Sequence, residues 1–106
     1  MRKATQGIVD AWVAGSEAFG PSVPATGAVM NGGESVRGVP RIRTDGTRLW
    51  SYRLLIARID RKRKKAYVVD SDVYASQTNT TRSHISAATL LAERAGFTLV
   101  RQAVVK

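Results

Sequence analysis

The hydrophobic periods along this chain predict an α+β fold: a three- to four-stranded antiparallel sheet with a packed helix, plus an N-terminal helix on a Gly/Pro-rich tether. Three observations carry this reading. Apolar residues recur at helical spacing near both ends of the chain, short apolar runs broken by turn residues fill its middle, and all three prolines fall between residues 20 and 40. The expected organisation is a helix over 1–19, a linker over 20–40 and an α+β domain over 41–106. A chain of 106 residues suffices for one core.

In the first segment, Ile8, Val9, Trp12 and Val13 form one stripe of a helix over 5–19, with Thr5 as its N-cap. Gly7 and Gly15 weaken that helix by roughly 1 kcal/mol each relative to Ala. Residues 20–40 hold Pro21, Pro24 and Pro40 among five glycines and read as a tether, with room for a short strand near Ala28–Met30. Such a tether would let the first helix dock on another copy of the chain, giving a homo-oligomer through residues 5–19.

From Arg41 the pattern turns to strand. Arg41–Thr44 leads into Asp45-Gly46, a strong hairpin dipeptide, and Arg48–Tyr52 returns. Leu54–Ile59 follows, then Ala66–Asp70 after a run of cations. Thr80 or Thr81 should start a helix reaching about Ala95, with Ile85, Ala88, Leu91, Ala92 and Ala95 on its buried face and Gly96 just past its end. Phe97–Val105 reads as a last strand. The expected core draws on Trp50 or Tyr52, Leu54, Ile56, Val68, Ile85, Leu91 and Phe97.

The chain is strongly basic, with 17 Lys+Arg against 8 Asp+Glu and a net charge of +9. Five cations are consecutive: Arg61, Lys62, Arg63, Lys64 and Lys65. A run of this kind belongs at a solvated hairpin tip or against something negative. Cysteine is absent, so neither disulfides nor thiolate metal sites are possible. The start Met1-Arg2-Lys3 is followed by residues too polar for a signal-peptide core, and no apolar stretch is long enough to span a bilayer. A cytoplasmic protein without a membrane partner is expected.

Strand alternation puts Arg41 and Arg43 on one side and Arg48, Trp50 and Tyr52 on another. If those sides coincide, cations and aromatic rings interleave. Phosphates need the cations, and bases stack on the rings at roughly 1–3 kcal/mol each. The expected nucleic-acid contacts are Arg41, Arg43, Arg48, Trp50 and residues 61–65. A purely structural use is open to the same residues, with the pentad as a soluble turn, the arginines guarding strand edges and the rings in the core. A second candidate is an anion seat at the start of the second helix, built by Thr80, Thr81, Arg82 and Ser83. His84, the only histidine, reads as a capping or packing residue. Asp70 and Asp72 read as partners for nearby arginines, because no third carboxylate is placed to complete a metal site. No catalytic residue, cofactor or metal is expected.

Thr44-Asp45-Gly46, Leu49, Ser51-Tyr52, Ile56-Ala57, Tyr74, Ser76, Thr80-Thr81 and Ser83-His84 together resemble a domain of unknown function in small proteins of phages that infect actinobacteria. The resemblance covers about 40 residues in the middle of the chain. It implies a compact sheet followed by a helix and brings no activity with it. The chain departs from the pattern in carrying the pentad in place of a simpler turn, and Arg53 where Gly or Asn would suit the turn. The expected function is that of a non-catalytic accessory protein binding nucleic acid, DNA or RNA, chiefly through phosphates. The alternative is a protein-interaction module for an acidic host protein, in which Trp12, Val13 and the tether would matter more.

Overall fold

The computed structural model describes residues 3–22, 30–31, 34–35, 38–70 and 79–106. The chain runs through α1 (Lys3–Ala14), β1 (Ala18–Phe19), β2 (Met30–Asn31), β3 (Glu34–Ser35), β4 (Ile42–Thr44), β5 (Arg48–Ser51), β6 (Leu54–Asp60), β7 (Lys65–Val69), α2 (Asn79–Arg94) and β8 (Thr98–Gln102). A six-stranded sheet has the order β1-β4-β5-β6-β7-β8, while β2 and β3 pair only with each other. Every neighbouring pair in the large sheet is antiparallel except β7 and β8, which are parallel. A parallel pair needs a crossover, and α2 lies in it. The α+β class is as expected, but a sheet of three or four strands understates it.

The two extra strands have local causes. Helix α1 starts before Thr5, which is a buried residue inside it, and stops at Ala14 instead of running to residue 19. Gly15 takes a left-handed φ of 86°, its N–H donates to the Trp12 carbonyl, and the Ser16 N–H donates to the Ala11 carbonyl. That is the Schellman arrangement, so Gly15 ends the helix instead of weakening its interior. Ala18 and Phe19 are then free to pair with β4. Helix α2 ends the same way, with Gly96 at φ 91° and Phe97 bonded back to Ala92. Phe97 thereby turns the chain so that β8 adds beside β7.

The tether is fastened at both ends. The Gly20 N–H donates to Ile42, the Arg41 N–H donates to Pro21, and Ser22 bridges Pro40. Met30 falls in β2, while Ala28 lies outside the described residues.

One core unites the sheet with both helices. Val9 and Trp12 of α1 join Ile42, Leu49, Ile56, Ala57, Ile59, Ala66 and Val68 of the sheet and Ile85, Ala88, Leu91 and Ala92 of α2. Of the expected core residues, Leu54 and Phe97 are only partly buried and Ala95 is exposed. Helix α1 therefore places its apolar stripe on its own sheet. The register of β5 and β6 shifts between Leu49 and Trp50. This bulge gives Ile56 and Ala57 together to the core, where simple alternation would turn one of them away.

Helix α1 is held to the β4–β5 turn by two side chains. The Trp12 indole N–H donates to the Thr47 carbonyl at 2.8 Å. The Arg61 guanidinium donates to the carbonyls of Trp12, Val13 and Gly46, each at 2.8 Å. A cation at a helix C-terminus also meets the negative end of the macrodipole. Gly46 allows this approach: a Cβ there would lie 2.6 Å from the Gly15 carbonyl oxygen, and its φ is 95°.

Replacing Arg61 should therefore act on the fold. Urea unfolding of Arg61→Ala is expected to give a loss of about 1–3 kcal/mol, from charge-assisted hydrogen bonds that are partly solvent-screened. Lys62→Ala, its exposed neighbour, should stay within about 0.5 kcal/mol of the parent. Equal effects at the two positions would show that the guanidinium contacts contribute nothing.

Candidate nucleic-acid interface

Because side chains alternate along a strand, each residue pointed at the helices fixes a neighbour that points away. Ile42 and Thr44 are buried, so Arg43 faces out; Leu49 and Ser51 are buried, so Arg48 and Trp50 face out. Ala57 and Ile59 leave Arg58 on the outer face, and Ala66 and Val68 leave Tyr67 there. The bulge keeps Leu55 on the same side, opposite Trp50. Neither described helix covers this face.

Strand register sorts these residues into two rows. One row crosses four strands as Phe19, Arg43, Trp50 and Leu55. The other crosses as Arg48, Arg58, Tyr67 and Val100. The Arg43 guanidinium carbon lies 3.9 Å from the Trp50 ring centroid, and that of Arg58 lies 4.5 Å from the Tyr67 centroid. Phe19, at the edge, is 70% exposed.

Arg48 and Arg58 stand directly opposite each other, an arrangement that disfavours pairing between strands. Arg48 has Asp45 at 3.7 Å. Burial pushes the Asp45 carboxyl up, but the N–H groups of Arg48 and Thr47 and the Arg48 charge together hold it below its ordinary value. It stays an anion occupied with its own turn. Arg58 Nε is buried and meets no acceptor among the described residues.

The pentad forms the β6–β7 hairpin tip, as its flanking strands suggest, with Ile59 opposite Ala66 and Asp60 opposite Lys65. Its members differ in what they do. Arg61 turns back to cap α1, as described above. Lys62, Arg63 and Lys64 are exposed, and Arg63 has Asp60 at 3.9 Å. Lys65 already belongs to β7 and is half-buried.

Two expected groupings are not brought together. Arg41 precedes β4 and lines a cavity on the helix side, so it does not share a surface with Arg43. Tyr52 lies past the end of β5 in a left-handed turn at φ 54°, where it is buried, so it does not continue the Arg48–Trp50 face. Trp12, which a protein-partner reading would use, is wholly buried. Sequence reasoning missed Phe19, Arg58 and Tyr67 as members of the face. Alternation about Ala66 and Val68 was the available signal for Tyr67, whereas Phe19 was hidden inside an expected helix.

The residues of the expected anion seat also separate. Thr80 and Ser83, with Arg41 and His84, border a cavity of about 290 Å³ between the first turns of α1 and α2. Arg82 is half-buried and outside that lining. Thr81 is buried, and its hydroxyl lies 3.0 Å from the Ser51 hydroxyl, which lies 2.7 Å from His84 Nδ1. This buried triplet ties the start of α2 to the end of β5. Ser51 is fully buried and presents no surface to a substrate. Burial pushes the imidazole down to about 4, so His84 is neutral at pH 7 and packs as a structural residue.

Among the described residues no cluster of three or more His, Asp or Glu could hold a metal ion, and no helix is long and apolar enough to cross a membrane. Asp72 lies outside the described residues. No protein-family model, curated protein or solved structure matches the chain.

The triplet makes a pH prediction. Unfolded His84 titrates near 6.5 and folded His84 near 4, so the unfolded chain takes the proton first as pH falls. Its contribution to stability is complete above the unfolded value, falls by about 1.4 kcal/mol per pH unit between the two values, and levels off below the folded one. Urea midpoints should decline in the parent as pH falls from 6.5 to 4, and less steeply in His84→Gln. Parallel curves for the two proteins would contradict a buried neutral imidazole.

Proposed function

We propose that the protein is a non-catalytic, phage-encoded accessory protein that binds nucleic acid on the open face of its sheet, in the host cytoplasm. The phage assignment rests on the resemblance of its central residues. The binding assignment rests on one observation above all: Arg48 and Arg58 stand opposite each other on the sheet face that neither described helix covers, in a row that holds the Tyr67 ring and runs beside the Arg43–Trp50 pair. Like charges in register do not help the sheet fold. A phosphate between or beside them offsets their repulsion, and a chain of net charge +9 attracts a polyanion from a distance.

Lys62, Arg63 and Lys64 extend the positive surface beyond the sheet, while Arg61 contributes through the fold. An acidic protein would satisfy the same cations and could pack apolar side chains on Phe19, so the two partners are separated by the binding measurement that follows.

Binding should weaken steeply with salt. Fluorescence anisotropy with a labelled oligonucleotide, repeated from 50 to 300 mM salt, should give a linear log–log plot. Replacing Lys62, Arg63 and Lys64 with Ser, with Arg61 retained, should flatten its slope by roughly 2, at ~0.7 per lost contact on a single strand. An unchanged slope would remove the tip from the interface. No binding to DNA or RNA at the lowest salt would refute the proposal.

A further inference from the structure

The open face carries more than charge, and charge alone does not call for its rings. A surface that only neutralises phosphates needs lysines and arginines on flexible stems. Here three aromatic side chains lie on the cationic face, on strands β1, β5 and β7. Phe19 is 70% exposed on a two-residue edge strand, where a polar residue would be the ordinary choice. Trp50 and Tyr67 are half-buried, each with a guanidinium against its ring at 3.9 Å and 4.5 Å.

From this we infer that the protein's ligand is single-stranded nucleic acid, held by base stacking on Phe19, on the Arg43–Trp50 pair and on the Arg58–Tyr67 pair. The inference rests on the nucleic-acid reading above and names the form of ligand that the same face takes. Bases in a duplex are stacked on each other and hide their faces, whereas an unpaired base can lie on a ring or on a guanidinium plane. Adjacent strands are about 4.8 Å apart, so Phe19 and Trp50, two strands apart, are separated by roughly 10 Å. The same spacing separates β5 from β7. The rings are thus separate platforms along a path across the sheet. Arg48, which belongs to neither ring pair, is left for the backbone. Stacking uses the π-face that every base has, so the expected preference among base sequences is weak.

The geometry favours this over duplex binding for a second reason. The outer face is a sheet surface with rings set among the strands, and no described helix rises from it to enter a groove. The β6–β7 tip is the one protruding cationic element on the described chain, and it has no aromatic residue.

The test uses the full chain and four probes of equal length at one salt concentration: single-stranded DNA, single-stranded RNA, duplex DNA, and an abasic deoxyribose-phosphate strand that keeps the phosphates without bases. The expected result is at least tenfold tighter binding to a base-bearing single strand than to the duplex or the abasic strand. Phe19→Leu should lower single-strand affinity roughly tenfold with an unchanged salt slope, because it removes a ring and no charge. Phe19 is exposed, so this variant should fold, and its unfolding midpoint checks that. Intrinsic fluorescence should be quenched on binding in the parent and not in Trp50→Leu, which leaves only the buried Trp12. Equal affinity for the base-bearing, abasic and duplex probes would overturn stacking while leaving phosphate binding intact. Tighter binding to duplex would likewise overturn it. Failure to bind any probe at low salt would overturn both this inference and the nucleic-acid reading beneath it.

Discussion

The Arg61 guanidinium joins three carbonyls that belong to different parts of the fold: Trp12 and Val13 at the end of α1, and Gly46 in the β4–β5 turn. That junction ties the end of α1 to the sheet. It meets the helix where Gly15 ends it, shortly before β1. Val9 and Trp12 of the helix so fastened are wholly buried. The junction also needs the close approach of Gly15 and Gly46, which no larger residue at 46 would allow. An arginine suits this task better than a lysine because its planar fork reaches several acceptors at once. The first residue of the most charged run in the chain is thus a structural clamp.

With both helices fastened to one side of the sheet, no described helix covers the other. The β5–β6 bulge sharpens this division. By giving two consecutive residues, Ile56 and Ala57, to the core, it keeps Leu55 and Arg58 on the outer face, in register with Trp50 and Arg48 respectively. The buried Ser51–Thr81–His84 triplet works from the inner side, where it anchors the first turn of α2 without a charge at neutral pH. One face is closed by apolar packing and satisfied polar groups. The other gathers like charges and aromatic rings.

Much of this was legible in the residues. The Asp45-Gly46 turn, the flanks of the pentad, the α2 stripe from Ile85 to Ala92 and Gly96 all follow from local rules and lie where those rules put them, while Ala95 of the expected stripe is exposed. The outward set Arg43, Arg48 and Trp50 followed from alternation. What was not legible depended on contacts between distant segments. A Gly15 inside an apolar period reads as a weak helix residue until its carbonyl neighbours are seen to be capped from residue 61. Phe19 then passes from a helix to a strand. Arg58 was readable only once the bulge set the phase of β6, whereas alternation about Ala66 and Val68 already pointed to Tyr67. The Ser51–Thr81–His84 contact likewise joins segments about 30 residues apart, and no local rule announces it.

The proposed division of the sheet into a structural face and a nucleic-acid face is tested most directly by backbone and side-chain NMR shifts during titration with an unlabelled single-stranded oligonucleotide. Shifts concentrated on Phe19, Arg43, Arg48, Trp50, Arg58 and Tyr67, with α1, α2 and the Arg61 contacts unmoved, are the predicted result. Shifts centred instead on Arg41, Thr80, Ser83 and His84, across the sheet at the helix starts, would contradict the account.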